Sequence, residues 1–234
     1  MAENKIDIGV IGAMQPEIEG LVSALSDVKE EKIGSVVFYV GEIFGKRVAV
    51  TKCGVGKVFA AIAAEAMIIA YSPRLIVNTG VAGALRRGLR TTDVVIAERL
   101  VQHDMDTSAL GDPVGLISGI NKIYFESDER AVELLLSVAE ENGVKAVRGT
   151  VATGDRFVAS KDDKEIISDS FGASACEMEG GAVAHVAFVN GTPFAVIRAI
   201  SDSADGEATM DYPTFMPIAA RISTALTLKL IERY

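Results

Sequence analysis

The chain has 234 residues, 49% of them hydrophobic, and a formal net charge of −9. That length suits one α/β domain, expected to span residues 1–234 and able to bury roughly 70–75% of its unfolded surface. The acidic balance argues against a nucleic-acid partner, which needs clustered Lys and Arg.

Ile6–Ile11 is a compact β-branched strand signal ending in Gly12. A helix follows over Glu17–Leu25, with Pro16 near its first turn. Strands are expected at Val36–Val40 and Arg47–Lys52, joined by a Gly-containing turn at 41–45. Gly56–Tyr71 is a helix stopped by Pro73, and Leu75–Asn78 a buried strand ending in Thr79-Gly80. Asp93–Ala97 is the next strand. Residues 103–121 keep no period and are rich in small and turn residues, so a long loop is expected there; such loops in compact domains are usually functional.

Asp128–Glu141 is an amphipathic helix closed by Asn142-Gly143. Val147–Thr153 is a strand, Lys161–Asp169 a helix, Glu179–Val189 a helix and Pro193–Ile200 a buried strand. A closing helix over Pro213–Arg233 places apolar residues at 215, 218, 222, 226 and 230. Alternating strands and helices predict a mostly parallel sheet covered on both faces. Ligands bind such sheets beyond the carboxyl ends of the strands. The segments standing there are Gly12–Glu17, Cys53–Gly56, Thr79–Gly83, Gly154–Val158, Glu177–Glu179 and Ser201-Asp202, rich in Gly and acids and nearly free of Lys and Arg.

Cys53 and Cys176 stand in no metal or redox spacing and are expected as buried small hydrophobes. His185 lies in an apolar helix and is expected as a satisfied core residue, while His103 precedes Asp104 in the long loop. A zinc site has too few ligands, and no metal is expected. The apolar stretch 58–71 contains Glu65 and is too short to span a bilayer, and no signal-peptide pattern is visible. The expectation is a cytoplasmic protein with no membrane partner.

Gly9 and Gly12 do not complete a dinucleotide-binding fingerprint. Gly56-Lys57 resembles the end of a phosphate-binding loop, but Thr51 stands where its first Gly belongs and Val58 where its hydroxyl belongs. No G-x-S-x-G occurs. Gly80-Val-Ala-Gly83 after a buried strand would either be a tight turn or let a backbone approach a ligand closely. Glu17, Glu177, Glu179 and Asp202 all flank apolar segments, and buried carboxylates are costly unless paired, hydrogen-bonded or used. Of Glu177 and Glu179, one can be structural and the other functional. Asp202 would otherwise be a helix cap, a task for which Asp205 is available.

Six blocks occur in order: Ile-Gly-Ala-Met-Gln-Pro-Glu, Cys-Gly-Val-Gly-Lys-Val, Asn-Thr-Gly-Val-Ala-Gly, Thr-Gly-Asp-Arg-Phe-Val, Cys-Glu-Met-Glu and Arg-Ala-Ile-Ser-Asp. Together, over nearly the whole chain, they resemble the 5′-methylthioadenosine/S-adenosylhomocysteine nucleosidases of the nucleoside phosphorylase superfamily. The resemblance implies a three-layer αβα sandwich around a central mixed, mostly parallel sheet. It implies a homodimer whose 103–121 loop contributes to the partner's site, no cofactor, and an adenine nucleoside as substrate. It implies hydrolysis of the N-glycosidic bond, with Asp202 protonating the adenine imidazole and Glu17 activating water. Glu179 would bind the ribose hydroxyls and Met178 the sugar. Phe157 would stack on adenine and the Val158 backbone would bond its edge. Ser201 and Arg198 would support Asp202, and Met14, Val55, Ala82 and Gly83 would line the site, with Tyr212 closing it.

The chemistry fits these residue types. An oxocarbenium-like transition state needs an acid for the leaving base and a carboxylate with water at the sugar. Asp202 is expected to have a raised pKa from its apolar strand, with Glu17 ionised. A phosphorylase would need Arg, Lys or several N–H donors for phosphate, and Glu17 would repel that anion. A 5′-phosphate would want a basic lid, and 103–121 has no Lys or Arg. A silent nucleoside-binding protein would lack an acid or a base, yet Glu17, Glu179 and Asp202 are all present. Two departures stand out. Val81 replaces the family's frequent Ser, and Leu110, Asp112 and Ser118 stand where relatives often carry aromatics and a Pro. Both bear on the preferred 5′-group, with aminodeoxyfutalosine as the alternative substrate.

Overall fold

The computed structural model describes residues 5–202 and 208–234. Its strands are β1 (Ile8–Gly12), β2 (Ser26–Ile33), β3 (Val36–Ile43), β4 (Lys46–Lys52), β5 (Leu75–Ala84), β6 (Val94–Gln102), β7 (Tyr124–Glu126), β8 (Ala146–Thr153), β9 (Ala173–Glu177) and β10 (Phe194–Asp202). Its helices are α1 (Gln15–Ser23), α2 (Lys57–Tyr71), α3 (Glu129–Glu141), α4 (Lys161–Phe171), α5 (Gly180–Val189) and α6 (Ala208–Arg233).

All the described strands join one mixed sheet. β1 lies between β4 and β5, parallel to both, and β3 and β2 extend that edge antiparallel. At the other end the sheet closes on itself: β5 pairs with β10, β10 with β6, β6 with β8, β8 with β9, and β9 back with β5. Antiparallel pairings are as numerous as parallel ones among the described residues, so the sheet is mixed as expected with a smaller parallel share. Helices α2 and α5 cover one face and α1, α3 and α6 the other, giving the layered αβα arrangement, while α4 packs on β8 and β9.

β1 and β10 are buried along their whole length, as their β-branched runs require when both faces are covered. β5 is longer than its apolar core suggests. Of the two readings of Gly80–Gly83, the tight turn is not found: the segment is strand, paired with β10 on one side and, at Gly83, with β9 on the other. β2 has no counterpart in the sequence reading because SDVKEEKI is charged. It forms as an exposed edge strand on β3, where charge protects an unpaired edge.

The segment Tyr212–Arg233 is long and apolar enough to cross a membrane, yet it is built as a core helix. Its buried side chains are Ala219, Ala220, Ser223, Thr224, Leu226, Thr227, Leu230 and Ile231, so the inward face is rotated from the expected stripe and Ile218 is exposed. The hydroxyls dock α6 onto β5. Ser223 Oγ lies 2.6 Å from Thr79 Oγ1 and accepts from the Gly80 N–H, and Thr227 Oγ1 donates to Thr79 Oγ1 at 3.1 Å. Residue Asp205 lies outside the described residues.

Candidate active site

One pocket opens where β1, β5, β9 and β10 end. It is lined by Ala13, Met14, Glu17, Val55, Val81, Ala82, Gly83, Phe157, Cys176, Glu177, Met178, Glu179, Ser201, Asp202 and Tyr212. An adjoining recess adds Arg156 and Val158 between Gly83, Phe157 and Asp202. Every expected site residue except Arg198 therefore lines one of the two.

Glu17 enters at the start of α1, 2% exposed. Its Oε2 accepts from the N–H groups of Ala13 at 2.7 Å and Met14 at 2.9 Å, and its Oε1 from Val81 N–H at 3.1 Å. Thr224 Oγ1 donates to its main-chain carbonyl at 3.2 Å. Burial raises its pKa; the Arg198 guanidinium and the three N–H groups pull the other way.

The expectation that Arg198 supports Asp202 is corrected. Arg198 is 1% exposed, and its Nη2 reaches the Asn78 side chain and Glu177 Oε2. It lies behind the base, outside the pocket wall. Glu177 is the structural acid of its pair. Besides Arg198 it accepts from Thr153 Oγ1, from Glu179 N–H at 3.0 Å and from Gly180 N–H at 2.7 Å. Glu179 is left facing the pocket, with its Oε1 accepting from Gly56 N–H at 2.9 Å. Burial first, then the neighbouring Glu177 carboxylate, push its pKa up to about 7. One guanidinium serves three carboxylates, so they cannot all ionise freely.

Asp202 ends β10, 2% exposed, at a register shift opposite Gly83. A Cβ on Gly83 would stand 2.9 Å from Asp202 Oδ2, so only glycine lets the carboxylate lie against β5. Ser201 Oγ donates to Oδ1 at 3.2 Å. The expected bare apolar setting is corrected: Lys164 Nζ lies 2.9 Å from Oδ2. The expectation of a freely ionised Glu17 is also corrected, because burial raises its pKa. β5 thus carries the two acids' stations two residues apart, Val81 under Glu17 and Gly83 under Asp202, a rise of roughly 7 Å.

Phe157 is half exposed at the mouth, edge-on to Tyr212 at 5.5 Å, and the Tyr212 hydroxyl lies 3.5 Å from Met14 Sδ. Burial pushes both thiols up to about 12, Cys176 in the pocket wall and Cys53 behind it, so neither is a nucleophile. His185 is the expected core residue, bonded through Nδ1 to Gln102 and stacked on Phe125. His103 does not line the pocket. The 103–121 segment is the expected loop, with one short turn at Ser108–Leu110, and none of it lines its own chain's pocket. Among the described residues no group of acids, His and Cys could hold a metal.

The sequence reading missed Lys164, Cys176 and Ala13 in this site. Lys164 had a signal: a charge on the apolar stripe of a helix, in register with Ile167 and Phe171.

The family model described as the phosphorylase superfamily matches residues 7–232. A 5′-methylthioadenosine/S-adenosylhomocysteine nucleosidase of Haemophilus influenzae (strain PittEE) is 38% identical over 227 residues, 97% of this chain and 99% of the relative. An aminodeoxyfutalosine nucleosidase of Helicobacter pylori (strain ATCC 700392 / 26695) is 37% identical over 226 residues, 96% of this chain and 97% of the relative. The crystal structure of the 5′-methylthioadenosine/S-adenosylhomocysteine nucleosidase from Neisseria meningitidis, in complex with methylthio-immucillin-A, superposes with a TM-score of 0.94 at 35% identity, covering 97% of this chain and 99% of that one.

Proposed function

This chain belongs to the phosphorylase superfamily and, within it, to the 5′-methylthioadenosine/S-adenosylhomocysteine nucleosidases, and from that premise we propose how it cleaves those substrates. The reaction is hydrolysis of the N-glycosidic bond, releasing adenine and the 5′-thio-ribose, with 5′-deoxyadenosine as a further substrate. The products suit methionine salvage.

The observation that carries the reading is the charge of the pocket wall. It holds Glu17, Glu177, Glu179 and Asp202 and, among its described residues, no Lys or Arg. Phosphate would find no free cation on that wall, since Lys164 is taken up by Asp202, Arg198 by Glu177 and Arg156, in the adjoining recess, by Asp163, whereas water finds a carboxylate. Asp202 gives a proton to the imidazole nitrogen of adenine. The C1′–N9 bond breaks with its electron pair going to the base. Water attacks C1′ and gives one proton to Glu17, whose pKa burial raises, which makes it a stronger base than an exposed carboxylate. Glu179 accepts from the ribose hydroxyls, Met178 packs on the sugar, and Phe157 stacks on the purine beside Val158. Met14, Val55, Val81 and Ala82 supply apolar wall for the 5′-group.

Asp202→Asn should bind nucleoside but turn over about 10²–10⁴-fold more slowly, the share of a general acid. Glu17→Gln should lose a comparable factor. Stopped-flow adenine release with nucleoside binding measured in parallel checks both. Near-normal turnover in either variant would remove that residue from its role.

The Helicobacter relative's name and Val81 favour a second substrate, aminodeoxyfutalosine, for the same site. Comparing kcat/KM for the two nucleosides decides the ranking. A homodimer is the third element of the proposal. Val58, Phe59, Ile62 and Ile69 expose an apolar face on α2, with Phe188 and Val189 of α5 also exposed. Lys57 at the start of α2 pairs with Asp104 at 2.6 Å, which holds the 103–121 loop beside the pocket mouth end of that helix. A second copy on this face would bury it and bring its loop to the mouth.

A further inference from the structure

Helix α4 buries three side chains, at 164, 167 and 171, the i, i+3, i+7 spacing of one helix face. Ile167 and Phe171 are apolar, and the first is Lys164, 3% exposed. An ammonium in that position is costly unless it is paired. Its Nζ lies 2.9 Å from Asp202 Oδ2, while Ser201 Oγ donates to Oδ1. The acid is therefore held by a side chain at each oxygen. Glu17, by contrast, hangs from three main-chain N–H groups.

We propose that Lys164 is the positioning residue of the acid: its ammonium fixes Asp202 Oδ2, so that Oδ1, which also accepts from Ser201, serves the leaving base, and it is the counter-charge for the carboxylate that remains after proton transfer. The proposal rests on the function set out above and deepens it. One proton passes from Asp202 to the purine nitrogen as the C1′–N9 electron pair goes to the base. Lys164 keeps its own proton and touches no substrate.

An ammonium beside a carboxyl favours the ionised form. Lys164 thus balances the charge that Asp202 carries once its proton has gone to the base. Other groups face the pair from each packed element. From β9 comes the Cys176 thiol and from α6 the Tyr212 phenol, both kept protonated by burial. Arg156, in the recess beside Asp202, is engaged with Asp163 at 3.1 Å. Behind α4 lies a second concavity with Arg86, Lys161 and Asp169, where Arg87 pairs with Glu165 at 3.3 Å. Among the described residues Lys164 is the cation within ion-pair distance of Asp202.

The test compares wild type, Lys164→Met and Lys164→Arg in adenine release from methylthioadenosine across pH. Met continues the apolar stripe and removes the charge. The expected result is a kcat about 10–100-fold lower with KM nearly unchanged, a part of what a general acid contributes. Lys164→Arg should restore most of kcat. Should Lys164→Met unfold around an unpaired Asp202, Asp202→Asn with and without Lys164→Met carries the test, since no buried carboxylate is then left at that position. A residue acting only through Asp202 changes kcat no further in that background. No rescue by Arg, or a further large loss in the Asn background, would overturn the proposal. Absence of adenine release from wild type would overturn the functional reading, and this proposal with it.

Discussion

Three carboxylates and one guanidinium set the pH behaviour of the site. Arg198 is committed to Glu177 and Asn78, so Glu179 and Glu17 carry the cost of burial, and Glu179 is pushed up to about 7. Glu179 accepts from both ribose hydroxyls, through two oxygens, only when ionised; protonated, one oxygen becomes a donor. Below about pH 7 it holds a proton and binds sugar poorly; above it the carboxylate is available. The acidic limb of kcat/KM should therefore lie near neutrality, well above the ordinary carboxylate range, and Glu179→Gln should remove the share of that limb that Glu179 sets, leaving the share set by Glu17, together with most sugar affinity. A pH–rate profile ending its acidic limb near 4 would contradict this. The four acids were legible in the sequence because each follows or precedes an apolar segment in a chain that must bury it. Their division of labour was not. Arg198 meets Glu177 and Asn78 only through strand pairing across the sheet. Lys164 was hidden in the run Lys161-Asp-Asp-Lys-Glu165, which looks like a solvated face until the helix is phased against Ile167 and Phe171.

At the scale of elements, β5 is the ruler of the site. It pairs with β1 and β10, receives the α6 hydroxyls at Thr79 and Gly80, and presents Val81 to Glu17 and Gly83 to Asp202. The sequence pattern shows its apolar half and then four small residues, which a local reading takes for a turn. Non-local pairing with β9 and β10 makes them strand. Their smallness is a matter of approach. A Cβ on Gly80 would collide with the Arg198 guanidinium and stand 2.6 Å from Glu17 Oε1. Gly80→Ala should cost about 1–3 kcal/mol, as overpacking of a core does, and depress turnover by displacing the base. Urea denaturation and adenine release check the two effects; unchanged stability would show that Arg198 yields freely. β2 teaches the complementary point, since a strand recruited at an edge by its neighbour needs no apolar alternation of its own.

At the scale of the molecule, closing one end of the sheet gathers the pocket walls from opposite ends of the sequence. Glu17 and Tyr212 meet there through α1 and α6, which pack together on one face. The alternation of strands and helices made the layered architecture legible; the closure was not, because it depends on β9 and β10 both pairing with β5. The exposed α2 face argues for a second copy. Sedimentation should give twice the monomer mass, and Phe59→Glu should yield monomer with weakened substrate binding. A monomeric wild type of full activity would refute that arrangement. The central claim is that water is the nucleophile. The measurement that tests it most directly is adenine release from methylthioadenosine by the purified protein, with and without inorganic phosphate. Equal release in both, with free methylthioribose as the sugar product, is the expected result. Release that requires phosphate, with a sugar 1-phosphate as product, would contradict it.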